Sequence, residues 1–218
     1  MTIVEMHETF RVLGQQMGLE RVRGILEESI DTYLNVAIKE TVANVVKSNV
    51  QTVYKDKITI QDNPISPVNG VSTLYKESDF DTNIPSGSDV EISLGNVQYI
   101  CGFSISYPGK EFYSKCRFIE PDRVEDTLTD YCSRASKQYP IITVVNVNEV
   151  TNKYKFRIYC GSGEISKLKV KYIKLPATVS LQNTINCDLP VHLHKDIVEL
   201  AVNKYFNSVG STSQSVKQ

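Results

Sequence analysis

Hydrophobic positions recur at helical spacing near the two ends of this chain and in alternation between them. Thr2 followed by Glu5 is a capping-box pattern, in which each side chain satisfies a free backbone N–H at a helix start. Behind it Ile3, Met6, Phe10, Leu13 and Met17 fall three and four apart, one stripe of an amphipathic helix, and Gly14 and Gly18 mark its end. A second helix is predicted from Leu19 to Lys47. Val22, Leu26, Ile30, Tyr33 and Ala37 form one row of it, flanked by Ile25, Leu34, Ile38 and Val45. Its apolar surface is wider than one neighbour can cover.

Beyond Val50 the period changes. Lys57 to Ile60 is a candidate short strand. The stretch Gln61 to Ser88 is dense in Asp, Asn, Ser, Pro and Gly, with Asp62-Asn63-Pro64 and Pro85-Ser86-Gly87 as turn signals, and reads as a long, partly ordered loop. Alternation returns with Val90, Ile92 and Leu94, then Val97, Tyr99, Cys101, Phe103 and Ile105. Tyr113 to Ile119 is a candidate strand, Glu125 to Lys137 a short helix, and β-branched Ile141 to Val147 a buried strand. The clearest hairpin places Tyr154, Phe156, Ile158 and Cys160 before Gly161-Ser162-Gly163-Glu164, and Leu168, Val170 and Tyr172 after it. A last helix begins between Pro190 and Lys195 and carries Val198, Ala201, Val202, Tyr205 and Val209 as its apolar row. The resulting fold class is α+β. A helical hairpin (1–50) packs with a C-terminal helix (190–210), a mostly antiparallel β region with long loops (51–189) is inserted between them, and a flexible polar tail (211–218) follows.

Charge adds little at the level of the whole chain: 24 Lys and Arg stand against 25 Asp and Glu in 218 residues, so any charge signal is local. The N-terminus lacks the pattern of a secretory signal and no apolar run reaches membrane-spanning length, which predicts a protein made in, and staying in, a cytoplasm-like compartment, with no membrane partner. Cysteines 101, 116, 132, 160 and 187 are odd in number and widely spaced, which argues against a disulfide framework or a zinc ribbon. Cys187, His192 and His194 cluster without a fourth ligand and read as surface or capping groups. Asp79, Asp81 and Asn83 imitate the start of a calcium loop, but Ile84 replaces its glycine and Val90 its final glutamate, so a solvated loop is expected. Neither a nucleophile elbow nor a phosphate-binding glycine loop is present, and a cysteine hydrolase has no local signature to support it. No catalytic residue, metal or cofactor is predicted.

The strongest local charge lies on the predicted hairpin. Lys153, Lys155, Arg157, Lys167, Lys169, Lys171 and Lys174 alternate with its apolar residues and are expected to share one side of a sheet. Like charges facing each other across a hairpin destabilise it, so an acidic neighbour is expected: the acidic surface of a second copy, or nucleic acid. The plain alternative is a solvated edge whose lysines discourage aggregation.

The ends of the chain carry a resemblance. Tyr33-Leu34-Asn35-Val36-Ala37 resembles a helix of phage neck and tail proteins. The strand end Lys169 to Pro176, the break at Cys187-Asp188-Leu189-Pro190, and the helix Asp196 to Val202 are similar, in that order, to the C-terminal ends of tail ring, or head–tail connector, proteins of short-tailed and crAss-like phages. The resemblance covers roughly the first quarter and last third of the chain. It implies a virion structural protein, synthesised in a bacterial host, that forms a ring in the portal-proximal neck or tail and joins portal to tail around the DNA exit channel. The implied partners are further copies of itself, commonly in twelve-fold rings, the portal protein, neighbouring tail ring or hub proteins, and the DNA passing through. It carries over no catalytic residue. A nucleic-acid-binding module using the basic segment 153–174 is the alternative.

Overall fold

The computed structural model describes residues 1–18, 24–49, 71–148 and 151–214. Among them are the helices α1 (Ile3–Gln16), α2 (Glu27–Asn49), α3 (Val124–Thr129) and α4 (His194–Gln214). The strands are β1 (Tyr75–Pro85), β2 (Asp89–Ser93), β3 (Val97–Ser106), β4 (Ser114–Lys115), β5 (Arg117–Phe118), β6 (Ile141–Asn148), β7 (Lys153–Tyr159) and β8 (Glu164–Lys174). The chain divides into a helical unit, built from both ends of the sequence, and a β unit lying between them in sequence. The fold is α+β as expected.

In the helical unit the capping box at Thr2 and Glu5 is formed, with Thr2 N donating to Glu5 Oε2 at 2.8 Å and Glu5 N to Thr2 Oγ1 at 3.3 Å. Ile3, Met6 and Phe10 of α1 are buried, as are Ile30, Leu34, Ala37, Ile38 and Val42 of α2 and Ile197, Val198, Ala201 and Val202 of α4. Cross-links set the directions. His7 meets Asp31 and Arg11 meets Glu27, so α1 and α2 are antiparallel. Lys204 meets Glu40 and Ser208 meets Tyr33, so α4 also runs against α2. The Tyr205 ring sits between Phe10 and Tyr33, with centroids 6.1 and 5.4 Å away. The wide apolar surface of α2 is thus shared by two helices.

Two boundaries differ from expectation. Leu19 to Arg23 lie outside the described residues, and α2 begins only at Glu27, leaving Leu26 exposed rather than in the apolar row. The last helix continues through Gly210 to Gln214, because a lone glycine costs a helix only about 1 kcal/mol and does not compel a stop.

The β unit is a sandwich of two four-stranded sheets, ordered β1-β8-β3-β4 and β2-β7-β6-β5, antiparallel except for β5 beside β6. Its core joins Phe103, Ile105, Leu168 and Val170 of the first sheet to Val90, Ile92, Phe156 and Ile158 of the second, and the Phe103 and Phe156 rings meet edge-to-face at 4.8 Å. Four expectations change here. The candidate strand 57–60 and the first part of the predicted loop, to residue 70, fall outside the described residues. The later part of that loop is β1, an eleven-residue strand.

In β3 a bulge between Ile100 and Gly102 shifts the alternation, so Ile100 rather than Cys101 joins the core cluster with Phe103 and Ile105. The predicted strand at 113–119 is two short pieces, β4 in one sheet and β5 in the other, parted at Cys116. Finally, α3 stops at Thr129 because Asp130 takes over the local hydrogen bonds. Its carboxylate accepts from Cys132 N at 3.1 Å and from Ser133 Oγ, a side-chain turn that competes with further helix.

Candidate functional site: a charged ribbon and its surroundings

The largest correction concerns the predicted hairpin. Strands β7 and β8 are consecutive but belong to different sheets, β7 pairing with β2 and β6, and β8 with β1 and β3. The turn Gly161-Ser162-Gly163 carries the chain from one sheet to the other, using positive φ of +76° at Gly161 and +123° at Gly163. The physical reason is burial: crossing between sheets lets the apolar faces of both strands meet in one core, whereas a flat hairpin would leave them side by side. The basic residues of β7 and β8 therefore do not share one side of one sheet.

The segment β1–β2 makes the same crossing at Pro85–Ser88 and runs antiparallel to β7–β8 along its length. The two crossings are stitched together. Gly87 N donates to Ile158 O at 2.7 Å, Ser86 N to Gly163 O at 3.2 Å, and Cys160 N to Ser86 Oγ at 2.9 Å. The result is one bent two-stranded ribbon, each half lying in a different sheet.

The acidic neighbour that the lysines require is the other strand of this ribbon. In register, Glu77 stands opposite Lys171, Asp79 opposite Lys169, Asp81 opposite Lys167, Asp89 opposite Arg157 and Glu91 opposite Lys155. Arg157 grips Asp89 with both ends of its guanidinium, Nε to Oδ1 at 2.6 Å and Nη2 to Oδ2 at 3.2 Å, and Lys155 Nζ reaches the same carboxylate at 3.0 Å. Lys153 bonds Glu91 at 2.6 Å. Lys169 lies 3.6 Å from Glu77 and 3.8 Å from Asp79, Lys171 lies 3.5 Å from Glu77, and Lys167 lies 3.8 Å from Asp81. Lys169 also stands over the Tyr113 ring at 4.4 Å. Lys174 is opposite Val97 at the far end of β8.

These contacts act on the carboxyls. Hydrogen bonds from Arg157 and then Lys155 hold Asp89 down at about 2. The Tyr75 hydroxyl, reinforced by Lys171 and Lys169, lowers Glu77, and Lys153 lowers Glu91. No outside acid is needed to satisfy the cations of β7 and of β8 up to Lys171.

Sequence reasoning missed the acidic half of the ribbon, although its signal was present. Glu77, Asp79 and Asp81 are two apart, as are Asp89 and Glu91, which is strand spacing. The calcium-like Asp79 and Asp81 are ladder partners, and Asn83 sits at a bulge with φ of 42°.

The other candidates are dispersed. His192 is exposed in a short turn, while His194 is buried, contrary to a surface role, and bonds the Leu189 carbonyl through Nε2 at 2.8 Å. Among the described residues no three His, Cys, Asp or Glu side chains converge as metal ligands would. The cysteines are unpaired, and burial pushes the Cys101 thiol up to about 12.

His7 is a functional-type side chain that the sequence pattern does not single out. It lies on the α1 apolar stripe between Ile3 and Phe10, is buried, and places Nε2 at 2.8 Å from Asp31 Oδ1. Asp31 also accepts from Leu181 N at 3.1 Å. This makes it one of several polar pins on the irregular stretch 176–190. Asn35 exchanges two bonds with Val179 (Nδ2 to O at 3.0 Å, N to Oδ1 at 2.8 Å), Asn186 accepts from Ile3 N, and Asp188 from Ala177 N.

No protein-family model matches the chain, and no curated protein matches it. None of the described helices is long and apolar enough to cross a membrane.

Proposed function

We propose that this chain is a non-catalytic virion structural protein, forming a ring in the portal-proximal neck or tail of a tailed phage and joining portal to tail around the DNA exit channel. The observation that carries the reading is apolar surface left outside on all three helices of the helical unit. Val4 and Val12 of α1, Val36 of α2, and Phe206 and Val209 of α4 are exposed although each helix already buries its own row. Side chains of this kind gain free energy when another subunit covers them. Asn35 and the stretch from Leu189 through Val202 close the helical unit, through the Asn35–Val179 bonds and the buried residues Leu189, Ile197, Val198, Ala201 and Val202.

The ribbon disfavours the alternative. A nucleic-acid module built on residues 153–174 needs cations available to phosphate, and six of these are held by carboxylates of β1 and β2. Electron microscopy of the purified chain, alone and with a portal complex, is the test. Rings, or decoration of the portal, are the expected result; a monomer that ignores the portal sinks the proposal.

A further inference from the structure

The charges of the sandwich fall into two classes. In the ribbon, six cations of β7 and β8 are paired with carboxylates of β1 and β2. The charges between β3 and β6 form no ion pair among the described residues, and they are segregated by sign. The segment Glu120 to Asp130, which contains α3, exposes Asp122, Glu125, Asp126 and Asp130 against a single Arg123. The stretches on either side of it carry Lys110, Lys115, Arg117, Arg134 and Lys137 with one acid, Glu111.

The basic stretches build a shape as well as a charge. The Tyr107 hydroxyl donates to the Lys137 carbonyl at 2.9 Å, holding the two loops together. Between them lies a cleft of about 530 Å³, lined by Lys110, Phe112 and Lys137, with Glu164 at its wall. Phe112 is 62 % exposed, large for a side chain of its size, and Lys110 stands 5.3 Å over its ring. In the stretch that leads to Lys137, Tyr131 is 79 % exposed under Arg134 at 4.9 Å. Exposed aromatic rings next to cations are the composition of a binding hot spot rather than of ordinary surface.

We infer that the cleft receives the acidic segment Glu120–Asp130 of a second copy of this chain, in a head-to-tail contact between β units. This rests on the self-assembly proposed above and names a surface for it. Charge complementarity selects the occupant. Lys110 and Lys137 face Glu125 and Asp126 of the neighbour, and the neighbour's Arg123 offers a counter-ion to Glu164. A polyphosphate would meet Glu164 with no such compensation. Because the two surfaces differ, the contact is heterologous, and repetition closes a ring when its rotation closes.

Two charge-reversed full-length variants test this: Lys110→Glu with Lys137→Glu, and Glu125→Lys with Asp126→Lys, each checked for folding by circular dichroism. Mass photometry and sedimentation read assembly. Each variant alone is expected to assemble about tenfold more weakly or worse than wild type. An equimolar mixture is expected to recover assembly, because every interface in an alternating ring is then again one acid against one base, a recovery that misfolding cannot produce. Wild-type-like oligomers in both variants would overturn this contact and leave the ring reading standing. A wild type that stays monomeric even with a portal complex would remove both. Weakened variants whose mixture does not recover, with binding of a single-stranded oligonucleotide lost only in the lysine variant, would overturn the inference in favour of a nucleic-acid surface.

Discussion

Asp89 is the best place to test whether the ribbon is held by its charges. Its carboxylate takes bonds from both Arg157 and Lys155, and Asp89→Asn keeps the shape while removing the charge. A carboxyl held at about 2 against an ordinary 3.8 prefers the folded state by about 2 kcal/mol at face value. The Asp89 side chain keeps 24 % of its surface and Arg157 42 %, so solvent screening reduces the expected loss to about 1–1.5 kcal/mol.

The sign follows from the direction of the shift. The folded value is depressed, so the contribution is complete above the unfolded value near 4, shrinks as pH falls, and is gone below about 2. The gap between wild type and Asp89→Asn is therefore constant above about pH 5 and falls to about a third of that by about pH 2.5. The chain has no tryptophan, so hydrogen exchange at β2 and β7 amides, followed by mass spectrometry across pH, reads the β unit directly. A gap that stays the same from neutral pH to pH 2.5 would refute the argument, because the loss would then come from packing and not from the ion pair.

Replacing Lys167, Lys169 and Lys171 together with glutamine strips the partners from Glu77, Asp79 and Asp81, and is expected to lower stability by about 1–2 kcal/mol in urea unfolding; an unchanged midpoint with lost DNA binding would favour the nucleic-acid reading instead. Asn35→Ala removes both bonds to Val179 and is expected to cost about 1–3 kcal/mol, with faster exchange at the Val179 amide as the specific readout. Gly161→Ala is expected to cost about 1–2 kcal/mol, because φ is +76° and the new methyl would lie 3.3 Å from the Ala135 carbonyl; a thermal midpoint equal to wild type would show that this crossing is not tightly specified.

The helix α1 was legible because a helix declares itself within its own sequence. Ile3, Met6 and Phe10 recur at the right spacing, and the cap at Thr2 and Glu5 is four residues long. The strands rich in β-branched and aromatic residues were legible for a similar reason: Tyr154, Phe156 and Ile158 alternate, and all three are buried. The strand β1 was hidden because its stabilising partners are some 90 residues away in sequence. Lys-Glu-Ser-Asp-Phe-Asp-Thr-Asn reads as loop until Lys167, Lys169 and Lys171 are laid beside it, and only then do its acids become a face. Local propensity could not supply that information, since β preference depends on what stands across the strand.

The same logic explains why the two glycines at 161 and 163 misled. A glycine turn between alternating strands is the sequence signal of a hairpin, and the turn chemistry is indeed present, with positive φ at both. What it cannot report is whether the strands then pair with each other or part. That choice is made by the partners. Each of β7 and β8 has a complementary acidic strand available in β2 and β1, and parting lets both apolar faces enter one core. A hairpin would have left the two rows of cations side by side and the two rows of acids elsewhere. The bent ribbon removes the repulsion and buries the core by one rearrangement, so the basic residues that pointed outward to a partner in sequence are, in the fold, the mark of a partner already found.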